Sequence, residues 1–174
     1  GFCRWILKNG TSKEIGDISS AFAKLGISDH HEYFAEISGK HVRNWIMQQR
    51  NSQAISDIAN AYATLGIEDN LDFFVSLSSD IGCVKVDGTN ENVCTILWSF
   101  ACLGLLENKH YHSTIKSLWK KAMSMRIDSF SNEGLSQLLQ VYIVAMVEGG
   151  GLTLQDIPQN LLLSKMINVP IDVT

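Results

Sequence analysis

Histidine and cysteine have the widest chemical range of any side chains in this sequence. His110 and His112 form a His-x-His pair, His30 and His31 are adjacent, and His41 follows. Zinc would need four ligands at defined spacing, and no cysteine pair lies near either histidine cluster. They read as surface histidines at turns, and no metal is expected. Cys3, Cys83, Cys94 and Cys102 show no Cys-x-x-Cys spacing and read as buried thiols in a reducing compartment. Cys94 and Cys102 fall within one helix without an evident histidine partner, so nucleophilic catalysis is not expected. The run Gly149-Gly150-Gly151 lacks the Lys-Ser/Thr of a phosphate loop and follows no strand. Glu32 and Glu36 could share a helical face, as exposed carboxylates commonly do. The sequence thus implies no enzyme and no cofactor.

Two other sets of residues could bind a ligand, and both depend on the elements that carry them. The chain has 174 residues, 14 Lys+Arg against 18 Asp+Glu, and a formal charge of −4. That balance excludes a uniformly basic nucleic-acid binder, though not a local basic face. No stretch approaches the roughly 18 apolar residues of a membrane span, so no membrane insertion is expected. Only Pro158 and Pro170 occur, so the first 157 residues lack the strongest helix breaker.

Comparing the chain with itself exposes repeats. WILKNGTSKEIGDISSAFAKLGI at 5–27 matches WIMQQRNSQAISDIANAYATLGI at 45–67, a shift of 40. A further shift of 38 reaches ENVCTILWSFACLGL at 91–105, and one of 42 reaches EGLSQLLQVYIVAMV at 133–147. Four copies keep one apolar register: Ile15, Ile18, Phe22, Leu25; Ile55, Ile58, Tyr62, Leu65; Val93, Ile96, Phe100, Leu103; and Leu135, Leu138, Tyr142, Ala145. Spacings of 3, 4 and 3 describe one face of an α-helix. Ser12, Ser52, Asn90 and Ser131 stand where N-caps belong, and Gly26, Gly66 and Gly104 where helices should end.

A second amphipathic segment follows each copy, read as HEYFAEISGKHVRNWIMQQ, LDFFVSLSSDIG and YHSTIKSLWKKAMSM. The unit is a helix, a turn and a helix, and one such hairpin cannot bury its apolar face alone. The expected fold is all-α: an α-solenoid of stacked helical hairpins, about four repeats of 38–42 residues spanning 1–151. Trp5, Trp45 and Met47 read as packing between repeats. The segment 82–92 is expected to be a loop, with Gly82, Gly88 and Asn90 as breakers. Residues 152–174 form a C-terminal extension with one short helix near Pro158. Because residues 1–9 align with 41–49, the chain starts in mid-repeat and reads as part of something longer.

The positions two and five places beyond the first apolar residue lie off that core face. They read Asp17, Asp57, Thr95, Gln137 and Ser20, Asn60, Trp98, Gln140, changing identity from copy to copy. A constant scaffold with variable polar residues suits a linear ligand read in steps, as in proteins taking one RNA base per helical repeat. Solvated positions of an amphipathic helix would look the same. Residues 105–127 hold the second set, Lys109, Lys116, Lys120, Lys121 and Arg126 against Glu107, a local +4. Lys109, Lys116 and Lys120 would share a face with Tyr111 and Trp119 nearby, able to neutralise phosphates. A solvated helix that lacks acids is the alternative.

AFAKLGI, AYATLGI and above all TILWSFACLGL resemble the first-helix signature of octotricopeptide repeats. Similar repeats precede the RAP domain in organellar RNA-processing proteins, including the FAST-kinase-like group. The resemblance covers residues 12–147; the first two copies have Ser-Ser and Ala-Asn where Leu-Trp would stand, and the fourth lacks Leu-Gly. It implies RNA binding, single-stranded or ribosomal, in a mitochondrion or other organelle, with a cytoplasmic setting as the alternative. The implied role is a non-catalytic part of RNA maturation or of a ribonucleoprotein such as a ribosome, alongside its other subunits. The competing expectation is a protein–protein scaffold, a structural subunit or bacterial effector arm, gripping a partner helix in a groove.

Overall fold

The computed structural model describes residues 2–28 and 31–154. Its helices are α1 (Phe2–Asn9), α2 (Ser12–Leu25), α3 (His31–Ser38), α4 (Lys40–Gln48), α5 (Ser52–Leu65), α6 (Asp72–Ser79), α7 (Gly82–Asp87), α8 (Asn90–Cys102), α9 (His112–Ser124) and α10 (Asn132–Glu148). Short 3-10 turns occupy Leu105–Glu107, Lys109–Tyr111 and Ile127–Ser129. The described residues are all-helical with connecting turns and contain no strand. The helix expected near Pro158 lies outside the described residues.

The four copies of the first helix are α2, α5, α8 and α10, and they pack in chain order: α2 on α5, α5 on α8, α8 on α10. These form one row. The remaining helices contact one another along a second row, α1 with α3, α4 with α6 and α7 with α9. The apolar register of the first row meets the second, and Ile15, Ile55, Ile58, Val93, Ile96 and Leu138 are buried. Aromatic rings run through the space between the rows. Centroid separations are 5.2 Å for Phe22–Tyr33, 5.1 Å for Phe34–Tyr62, 5.7 Å for Tyr62–Phe74 and 5.2 Å for Phe74–Phe100. Most meet edge to face, the arrangement that the ring quadrupole favours.

Local chemistry accounts for most first-row boundaries. Gly26 and Gly66 take φ of 64° and 62°, and Ile27 N and Ile67 N donate to the carbonyls of Phe22 and Tyr62. This is the left-handed glycine ending that the Leu-Gly pairs implied. Ser131 caps α10, its hydroxyl accepting from Gly134 N. The other caps stand one residue earlier than expected: Thr11 rather than Ser12, Asn51 rather than Ser52, and Thr89 rather than Asn90. In each case the earlier residue has the extended backbone that lets its side chain reach the first-turn amides.

Three further expectations need correction. Segment 82–92 is not a loop, because Gly82–Asp87 forms α7 and Asn90 already opens α8. Glycine at a first helical position breaks nothing, and the chain leaves the helix only at Gly88-Thr89. There a Cβ on Gly88 would lie 2.4 Å from the Val84 carbonyl oxygen. The segment after α2 is two helices rather than one, interrupted at Gly39, where ψ of 133° ends α3. Leu25 is 72% exposed although its register equivalents Leu103 and Ala145 are buried. Among the described residues no first-row helix packs on the side of α2 opposite α5.

Candidate functional site

Polar side chains of the first row hydrogen-bond between α5 and α8 and between α8 and α10. Asn92 Nδ2 donates to Gln53 Oε1 at 2.9 Å, and Gln53 Nε2 donates to Asp57 Oδ1 at 2.9 Å. Ser52 Oγ donates to Asn92 Oδ1 at 3.3 Å. Between α8 and α10, Thr95 Oγ1 donates to Gln137 Oε1 at 3.4 Å and Trp98 Nε1 to Gln140 Oε1 at 2.8 Å. Asp57, Asn60, Thr95 and Gln137 line a groove of about 190 Å³ across α5, α8 and α10. Asp17 and Ser20 on α2, and Trp98 and Gln140, lie outside that groove. Asp17 is instead paired with Lys13 at 2.6 Å.

First-turn residues Gln53, Glu91, Asn92 and Glu133 also line the groove. Extending the sequence column one helical turn upstream would have found Gln53, Glu91 and Glu133, which align with Lys13. The groove is acidic. Partial burial raises the Asp57 carboxyl above its ordinary range, opposed by the hydrogen bond from Gln53. First-row helices carry two lysines against six carboxylates, whereas second-row helices carry eight cations against four carboxylates. A polyanion approaching through its phosphates is therefore repelled by the first row and attracted by the second.

The basic set does not form one patch. Lys116 and Lys120 are exposed on α9, whose Ile115, Leu118 and Trp119 are buried against the core. Lys109 belongs to the 3-10 turn before α9, so the shared helical face expected for it does not exist. Lys121 Nζ donates to the Lys85 carbonyl at 2.7 Å, holding α9 against α7. Arg126 is exposed beyond the end of α9, and its carbonyl accepts from Ser129 N at 3.0 Å. Tyr111 and Trp119 are buried, so neither offers a face to a base. Trp98 is half-buried and bonded across to Gln140, as a residue closing the gap between copies would be.

The described histidines show no convergence, and His30 lies outside the described residues. His112 Nε2 lies 2.9 Å from the Leu106 carbonyl, and His31, His41 and His110 are exposed. Among the described residues no three histidine, cysteine or carboxylate side chains are placed to share a metal ion. Burial pushes the Cys94 thiol up to about 12, which keeps it protonated and unreactive. No helix of the described residues is long and apolar enough to cross a membrane.

No protein-family model matches this chain. Searches of curated proteins and of solved structures likewise return no significant match.

Proposed function

We propose that the chain is an α-solenoid of stacked helical hairpins that binds RNA without catalysing a reaction on it. The observation that carries this reading is the row of hydrogen-bonding side chains at equivalent positions of four successive first-row helices. Asp17, Ser20, Asp57, Asn60, Thr95, Gln137 and Gln140 differ in donor and acceptor set from copy to copy. Binding would exchange the internal bonds of Asp17, Asp57, Thr95, Gln137 and Gln140 for bonds to bases. Asparagine and glutamine match the edge of adenine, and an aspartate can accept from the cytosine amino group. With base edges turned to the row, the phosphates point away from it, so the acidic charge of the groove opposes binding least in this orientation. The resemblance to octotricopeptide repeats supports an organellar setting, mitochondrial in the first instance, within RNA maturation or a ribonucleoprotein such as the ribosome.

The test is a titration of single-stranded RNA at several salt concentrations. Asn60→Ala with Gln140→Ala should weaken binding by about tenfold or more, since a good bidentate base contact is worth about 1–3 kcal/mol. Lys116→Glu with Lys120→Glu should mainly flatten the salt dependence. Absence of saturable binding, or binding indifferent to both pairs, overturns the proposal. The acidic groove favours a second reading, a scaffold holding a basic protein segment. That reading requires purified complexes to contain protein without nucleic acid, judged from the ratio of absorbance at 260 and 280 nm.

A further inference from the structure

We propose that the chain associates head to tail with a second copy of itself, α10 of one copy seating against α2 of the next. The basis is an interface that the molecule already uses three times. The leading faces of α2, α5 and α8 each meet the trailing face of the next first-row helix in constant register. A Cβ added to Gly16 would lie 2.9 Å from Ala54 Cα, and one added to Gly134 would lie 3.5 Å from Cys94 Sγ. Leading-face residues Gly16, Ser19 and Ala23 on α2, Ser56 and Ala59 on α5, and Cys94, Leu97 and Ala101 on α8 are buried. So are the trailing-face residues Ala54, Ile58 and Ala61 on α5 and Leu138 and Val141 on α10.

Two faces of this kind lack a partner among the described residues. The leading face of α10 carries Leu139, half-buried, then Ile143, Met146 and Val147 at 50%, 69% and 75% exposure. The trailing face of α2 carries Ile18, half-buried, then Ala21 and Leu25, the latter 72% exposed. Large apolar side chains at these exposures are costly to leave in water, and side by side they form a patch of the kind that marks an interaction surface. Continuing the internal register sets Leu139 opposite Ile18, Ile143 opposite Ala21 and Met146 opposite Leu25. Charge does not select this pairing: α2 is balanced, with Lys13 and Lys24 against Glu14 and Asp17, and Lys13 is bonded to Asp17, while α10 carries Glu133 and Glu148. The repeated internal register alone carries it. The two faces differ, so the contact is heterologous and open-ended rather than a closed two-fold dimer.

The experiment uses the 174-residue chain without nucleic acid, so its outcome is independent of RNA binding. Sedimentation across the micromolar range should show mass rising with concentration in steps of 19.3 kDa. Leu25→Asp blocks one face, and Ile143→Asp with Val147→Asp blocks the other. All three positions are exposed, so each variant should keep the far-ultraviolet helical signal of the parent and sediment as a monomer. Mixed in equal amounts, the two variants should form a species of twice the monomer mass and no larger, because each supplies the face that the other lacks. A parent that stays monomeric overturns the proposal, whether the α10 face is covered by residues 155–174 or by nothing. Variants that still assemble singly, or that fail to pair on mixing, overturn it as well.

Discussion

The two rows of helices are specified in different ways. First-row helices are unbroken for 13 to 17 residues, and each begins at a side-chain cap: Thr11, Asn51, Thr89 or Ser131. Second-row helices are mostly shorter, 6 to 9 residues apart from α9, and α4, α6, α7 and α9 start without a side-chain cap bond. Yet the second row supplies much of the deepest burial, with Phe34, Ile37, Phe73, Phe74, Leu77 and Leu118 almost wholly inaccessible. Local signals therefore define the first row, and tertiary packing defines the second. Short helices are marginal alone and persist through the apolar face they bury.

The sharpest way to break this contrast is to remove one second-row ring. Phe74 touches Tyr62, Phe73 and Phe100, joining α6 to α5 and α8. Phe74→Ala should cost about 3–5 kcal/mol in denaturant unfolding, the range for truncating a buried aromatic. A cost below about 1 kcal/mol would mean that the rings do not hold the second row, since that is what an ordinary substitution costs.

A smaller effect is expected where the rows are bolted together. The Tyr62 hydroxyl donates to the Phe34 carbonyl at 2.7 Å and lies 2.9 Å from Ser38 Oγ, which itself donates to the Asn70 carbonyl. Tyr62→Phe should cost about 1–2 kcal/mol, since it leaves buried polar partners unsatisfied. Burial raises the Tyr62 phenol above its ordinary range. Because the folded state holds the neutral phenol, its contribution is complete below the unfolded-state value of about 10 and declines as pH rises above it. Alkaline unfolding of the parent should thus be steeper than that of Tyr62→Phe. Equal slopes would remove Tyr62 from the account.

The same division explains what can be read without coordinates. The first-row helices and the endings at Gly26 and Gly66 are visible by self-comparison because each copy carries its own signals. The caps shift by one residue because Thr11-Ser12 and Asn51-Ser52 each offer two capable side chains, and only backbone conformation chooses between them. In the second row the break at Gly39 and the short α7 depend on how α4, α6 and α9 pack, which periodicity does not encode. Lys109 fails for a related reason: α9 begins three residues later, after a 3-10 turn. The polar column is legible by counting, but its bonds are not. Gln53 with Asn92, and Trp98 with Gln140, join residues 39 and 42 positions apart.

The smallest expected effect tests the first row at one cap. Thr11 Oγ1 accepts from Glu14 N at 3.3 Å, and the Glu14 carboxylate accepts from Thr11 N at 2.7 Å, a reciprocal capping box. Thr11→Ala should cost about 1 kcal/mol, whereas Thr11→Ser keeps the oxygen and should cost a few tenths at most. The bond from the Thr11 backbone, then that from its hydroxyl, lowers the Glu14 carboxyl below its ordinary value. A lowered folded-state value stabilises above the unfolded one, and the benefit is lost as pH falls through the folded value. The gap between parent and Thr11→Ala, measured by thermal unfolding, should therefore narrow between neutral pH and about pH 3. A gap constant with pH would show that the hydroxyl acts without the carboxylate. No gap at all would mean that packing, not capping, sets the start of α2, and the contrast between the rows would fail at its most local point.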